Sequence, residues 1–165
     1  GLPNPFVLDS TLARRIWYHQ TSFTIEYAEG WNLVGLPLEI ENAAYNFLFP
    51  ESIDGTLYSY DGGYVSESEL SSGCGYWLRF DGDGVSSITG VSINELTISL
   101  NEGWNLISGV STLVNISNIQ DTDGIIIAGT FFGYTPGGYS NADILDPGKG
   151  YWVRANNSGT IIIHD

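Results

Sequence analysis

The sequence predicts an all-β protein: two tandem homologous β-rich units, sandwich or barrel-like, behind an extended N-terminal arm. Three observations carry this expectation. First, four sequence blocks recur in the same order. EGWNLVGL at 29–36 returns as EGWNLISG at 102–109, and GCGYWLRF at 73–80 returns as GKGYWVRA at 148–155. Trp31 and Trp104 lie 73 residues apart, and Trp77 and Trp152 lie 75 apart. Ordered recurrence of this kind is the mark of duplication. Second, short stretches alternate apolar and polar residues with period two, which is the pattern of half-buried strands. Third, the chain holds 21 Gly and only 15% charged residues, so it favours strands and tight turns.

The elements follow in chain order. Residues 1–22 belong to neither unit and form the arm. The first unit, 23–95, opens with the alternating strand SFTIEY, and the second unit, 96–165, with ELTISL at its boundary. EGWN then reads as a tight turn in which Gly30 and Gly103 supply backbone freedom. WNLVGL and WNLISG read as the returning strands. GTLYSY and GTFFGY are further strands, turned back by DGG and PGG. SESELSSG and SNADILDPG read as single helical turns, capped by Ser66 or Asn141 and stopped by Gly73 or Gly148. GYWLRF and GYWVRA are strands with Tyr76, Leu78 and Phe80 on one face and Trp77 and Arg79 on the other. VSSITGVSI and TIIIHD close the units. A repeated position is most simply a core position, so Trp31, Trp77, Trp104 and Trp152 are expected inside.

Charge narrows the functions. The formal net charge is −14. Such a field repels phosphate, which argues against a nucleic-acid partner and an anionic membrane surface. No apolar run approaches the roughly 20 residues of a membrane span. The chain begins at Gly1 without a signal peptide, which predicts a processed mature chain or a piece of a longer protein. Absent methionine and a single Lys are compatible with an extracellular or cell-surface location, where a lone free thiol such as Cys74 is unusual but not forbidden.

The arm carries the only basic pair next to apolar residues: Phe6, Val7, Leu8, Leu12, Arg14, Arg15, Ile16, Trp17 and Tyr18. Its formal charge is +1, against −11 for the first unit and −4 for the second. So short a segment cannot bury its apolar side chains alone. Three arrangements are open: packing on its own body, continuation of an upstream domain, or exchange with a neighbouring copy. Extended, the arm spans up to about 70 Å. That reach suffices to add a strand to a neighbour's sheet edge. Head-to-tail exchange of this kind need not close and builds filaments.

Residues with chemical potential are few. His19 and His164 are the only histidines, and no GxSxG or HExxH motif is present. No residue pattern singles out a pair of carboxylates for glycoside hydrolysis, so the expectation is no enzyme. Asp81 with Asp83 and Asp121 with Asp123 form Asp-Gly turns, which are weak calcium candidates because each lacks the later bidentate Glu of a complete loop; no other cofactor is expected. Tyr60, Tyr64, Tyr134 and Tyr139 flank the Gly-rich turns and are the candidates for stacking against a sugar.

The repeated blocks carry a resemblance. GWNLVGLP at 30–37 and GYWLRF at 75–80 resemble the tandem repeat of secreted and surface proteins from bacteria with type IX secretion. The resemblance covers residues 23–163 and implies an extracellular, non-catalytic β-module. It supplies no catalytic residues. The expectation is therefore a structural or adhesive protein that self-assembles through residues 1–22, with itself or other extracellular proteins as partner. A carbohydrate-binding module of a larger secreted protein, with polysaccharide as partner, and a passive spacer before a sorting domain are the alternatives.

Overall fold

The structure, a computed structural model, describes residues 19–165. The fold is almost wholly β and its ladders are antiparallel. The first half holds β1 (Gln20–Tyr27), β2 (Gly30–Gly35), β3 (Leu38–Glu39), a short helix α1 (Tyr45–Leu48), β4 (Tyr58–Tyr60), β5 (Tyr64–Ser66), β6 (Gly75–Phe80) and β7 (Gly84–Ser92). The second holds β8 (Glu95–Leu100), β9 (Gly103–Ser108), β10 (Val114–Asn115), a 3-10 turn (Ile116–Asn118), β11 (Phe132–Thr135), β12 (Gly138–Asn141), β13 (Ile144–Leu145), β14 (Gly150–Ala155) and β15 (Gly159–His164). In the first half the sheets run β1-β7-β3 and β2-β6-β4-β5. In the second they run β15-β8 and β12-β11-β14-β9, with a short β10-β13 ladder.

Alternation explains the strands. In β1, Ile25 and Tyr27 turn inward while Thr24 and Glu26 stay exposed. In β8, Ile98 and Leu100 take the same inward places. The EGWN turn has a specific staple. Gly30 and Gly103 adopt φ of 90° and 97°, where a Cβ is disfavoured. The following Asn closes the turn. Asn32 Oδ1 accepts the Ala28 amide at 3.0 Å, and its Nδ2 donates to the Ala28 and Gly30 carbonyls. Asn105 does the same with Asn101 and Gly103.

Two expectations are corrected. The helical turns at 66–73 and 141–148 are absent. Ser66 ends β5 opposite Tyr58, and Asn141 ends β12 opposite Phe132. Hairpin pairing satisfies these backbones, and Leu70 and Leu145 point into the core as an extended chain passes. Helix appears instead at α1, where none was expected. Trp31 and Trp104 are not core residues: they are 38% and 40% exposed, whereas Trp77 and Trp152 are buried. Each exposed Trp is the second residue of its strand, directly after the glycine of the EGWN turn.

Each half has its own apolar core. Phe49, Leu57, Leu78 and Phe80 are central to the first, and Val110, Leu145, Val153 and Ile161 to the second. A third cluster of Leu33, Trp77, Leu106 and Trp152 takes residues from both. Reciprocal backbone contacts accompany it. Gly35 N–H donates to the Gly148 carbonyl at 3.0 Å, and Ser108 N–H donates to the Gly73 carbonyl at 3.0 Å. Val34 bridges Lys149, and Ile107 bridges Cys74. These partners occupy matching positions of the sequence repeat, so the halves meet about an approximate two-fold axis.

Candidate functional site

The cluster shared by the halves opens onto an aromatic cleft of about 410 Å³, lined by Tyr60, Tyr64, Trp104, Phe132, Tyr139 and Trp152. The hairpins β4-β5 and β11-β12 deliver its tyrosines. Tyr60 pairs with Tyr64 across one hairpin, and Tyr134 with Tyr139 across the other. Ring contacts continue across the join. Tyr60 meets Trp152 edge-on at 4.9 Å, and Tyr134 meets Trp77 edge-on at 4.8 Å. Edge-to-face geometry is the favoured one for such rings, because the positive edge of one meets the negative face of the other. Asn101 Nδ2 donates to Asp61 Oδ1 at 3.1 Å and ties the halves beside Tyr60.

The four tyrosines expected from the sequence therefore belong to one aromatic assembly, and three of them line the cleft. Trp104, Phe132 and Trp152 complete its walls; Trp152 is buried as its repeated position predicts, whereas nothing in the sequence marks Trp104 or Phe132 as lining an opening. Trp77 packs on Trp31, Tyr134 and Tyr139. Partial burial, foremost, raises the Tyr139 hydroxyl above the usual phenol range, with the neighbouring Tyr64 adding to the rise, so Tyr139 stays a neutral donor at physiological pH. The indole N–H of Trp152 leans toward that hydroxyl and eases its ionisation slightly, without reaching hydrogen-bond geometry. The indole nitrogens of Trp77 and Trp152 are buried with no hydrogen-bond partner.

The strand edges form a second candidate surface. Among the described residues β1 pairs only with β7, and β8 only with β15. Both ladders run without a bulge, and neither edge strand contains Lys, Pro or Gly. A hollow of about 810 Å³ lies where β1 begins, lined by Gln20, Glu39, Ile40, Glu41, Phe47 and Val91 among others. Phe47 is exposed there. The arm residues Phe6, Val7, Leu8, Leu12, Arg14, Arg15, Ile16, Trp17 and Tyr18 lie outside the described residues.

Asp83 and Asp121 use their carboxylates on backbone amides. Asp83 Oδ1 accepts the Glu29 amide at 2.8 Å, and Asp121 accepts the Ile125 and Ile126 amides through its two carboxylate oxygens. Among the described residues no three His, Cys, Asp or Glu side chains converge as metal ligands. His164 contacts the Gln120 side chain and the Asp165 carbonyl. No helix among the described residues is long and apolar enough to cross a membrane. No protein-family model matches the chain, and neither does any curated protein or solved structure.

Proposed function

We propose that this chain is a non-enzymatic extracellular structural or adhesive protein, made of two tandem homologous units, that self-assembles by strand exchange. The part of the 1–22 arm that precedes β1 in one copy adds to a free sheet edge of the next, since Gln20, Thr21 and Ser22 already pair with β7 of their own copy. The observation that carries this reading is the pair of unguarded edges, β1 and β8. An edge strand displays a row of unpaired N–H and C=O groups, and proteins that remain monomeric usually blunt it with Lys, Pro or a bulge. Here the edges have no Lys, Pro or bulge, and each carries a single exposed charge, Glu26 on β1 and Glu95 on β8. The basic, apolar arm complements an acidic body, which steers the encounter and fixes the register. Matching Asn staples and reciprocal contacts support duplication of one ancestral unit, as does the resemblance to surface-protein repeats.

The test is negative-stain microscopy with light scattering on residues 1–165 beside a chain starting at Ser22. Filaments or higher oligomers from the longer chain alone are expected. Monodisperse monomers from both at high concentration overturn the reading.

The aromatic cleft favours a second reading, in which the protein holds a polysaccharide. It predicts retardation on polysaccharide gels that is lost on Tyr64→Ala or Tyr139→Ala. A protein that moves freely through every gel overturns it.

A further inference from the structure

The ring contacts at the join fall into two five-membered sets. One joins Tyr60 and Tyr64 to Trp104, Phe132 and Trp152, and forms the cleft together with Tyr139. The other joins Trp31, Tyr58 and Trp77 to Tyr134 and Tyr139. Each set draws on both halves, and the sets are related position by position through the sequence repeat. Their geometry agrees in the shared contacts, and the second set has one more, Tyr139 edge-on to Trp77 at 6.4 Å. Trp104 meets Trp152 at 6.3 Å and 87°, while Trp31 meets Trp77 at 6.3 Å and 84°. Trp104 meets Phe132 at 6.0 Å and 53°, while Trp31 meets Tyr58 at 6.1 Å and 54°. The exposed members also match: Trp31 with Trp104, and Tyr64 with Tyr139.

We infer that the chain carries two equivalent sites for a neutral oligosaccharide, the cleft and its two-fold counterpart built on Trp31, Tyr58, Trp77 and Tyr134, with Tyr64 and Tyr139 as a shared wall. This rests on the polysaccharide reading and adds the class of ligand and the number of sites. Chemistry selects the ligand. The lining of the cleft is wholly aromatic, with no charged side chain. Negative ring faces attract the electropositive C–H face of a pyranose as they attract a ring edge. They attract a quaternary ammonium too. The indole N–H groups decide between these ligands. Trp77 and Trp152 each hold a buried donor that meets no acceptor in hydrogen-bond geometry, one in each ring set. Native proteins seldom leave such a donor unmet. A sugar hydroxyl or ring oxygen accepts from it once the exposed tyrosine beside it swings aside, and an ammonium cannot. A net charge of −14 disfavours acidic sugars. The cleft volume lies within the roughly 300–1,000 Å³ range of small-molecule pockets.

Calorimetry on the full chain, read with tryptophan fluorescence, tests the inference. The probes are cellotriose, maltotriose, mannotriose and xylotriose, with trigalacturonic acid and choline as charged comparisons, each titrated to its solubility limit. Two molecules of at least one neutral trisaccharide bind per chain. Trp104→Ala and Trp31→Ala each leave one, and the double variant leaves none. Both side chains are partly exposed, and circular dichroism verifies that the variants stay folded. One molecule per chain in the native protein overturns the second site while leaving the polysaccharide reading in place. Binding of choline or the acidic sugar alone overturns the ligand class. No binding by any neutral probe overturns both the inference and the reading beneath it.

Discussion

Asn32 and Asn105 show how much a single side chain contributes to this fold. Each makes three hydrogen bonds to the backbone of its own turn. Asn32→Ala or Asn105→Ala leaves those partners unmet and should cost about 1–3 kcal/mol, read from denaturant midpoints. Asn32→Asp should recover only part of the loss, since a carboxylate accepts but does not donate. A tyrosine pair sets the alkaline limit. The Tyr76 hydroxyl accepts the Ser71 amide at 2.8 Å, and that of Tyr151 accepts the Asp146 amide at 2.9 Å. Burial, foremost, pushes both up to about 12. An unfolded tyrosine ionises near about 10. The folded state therefore holds more protons above that pH, and stability falls as pH rises. The contribution is whole below pH about 10 and is lost as pH climbs through the folded values. Urea midpoints across that window should decline less steeply for Tyr76→Phe/Tyr151→Phe than for the native chain. That variant starts from a lower midpoint at neutral pH, because each lost hydrogen bond costs about 1 kcal/mol.

At the scale of elements, strands announced themselves where one face is wet. SFTIEY and ELTISL alternate because β1 and β8 bury one face only. The segments after the hairpins did not announce themselves. Ser66 and Asn141 have the side chains of helix caps, but pairing with Tyr58 and Phe132 draws them into ladders, and local propensity yields to that pairing. The aromatic cleft was half legible for a related reason. Tyrosines beside Gly-rich turns point to surface, whereas a repeated Trp points to core. Only the join between the halves shows that Trp104 borders an opening and Trp152 lies beneath it. The free edges were not legible, because a sequence does not say which strand ends a sheet. They support an element-scale prediction. Thr97 and Ser99 are exposed on β8. Thr97→Lys/Ser99→Lys places two charges of the kind that guard natural edges. Stability should change by less than about 1 kcal/mol, since surface substitutions are usually mild. Oligomers of the full chain seen by light scattering should disappear if β8 receives the arm. Undiminished assembly would assign the exchange to β1.

The whole molecule is two cores coupled through a small, close junction, and that coupling governs how it unfolds. The junction admits no side chain at Gly35 or Gly75. A Cβ on Gly35 would fall on the Ser108 side chain, and one on Gly75 would stand 2.6 Å from the Ile107 carbonyl oxygen. Around these points lie Leu33, Trp77, Leu106 and Trp152, whose burial neither half completes alone. Burying one large apolar side chain is worth about 1.5–3 kcal/mol. Four at one join give the halves reason to unfold together. The native chain should therefore melt in one transition, coincident by far-ultraviolet circular dichroism and tryptophan fluorescence. Gly75→Val forces the Ile107 backbone away, an overpacking that typically costs about 1–3 kcal/mol. Because the cores around Phe80 and Val153 are untouched, the damage should fall on the coupling. Fluorescence should then shift to the red before the circular dichroism signal is lost, as Trp77 and Trp152 reach water first. A chain with Gly75→Val that still melts in one transition at the native temperature would show that the halves are held by something other than this junction.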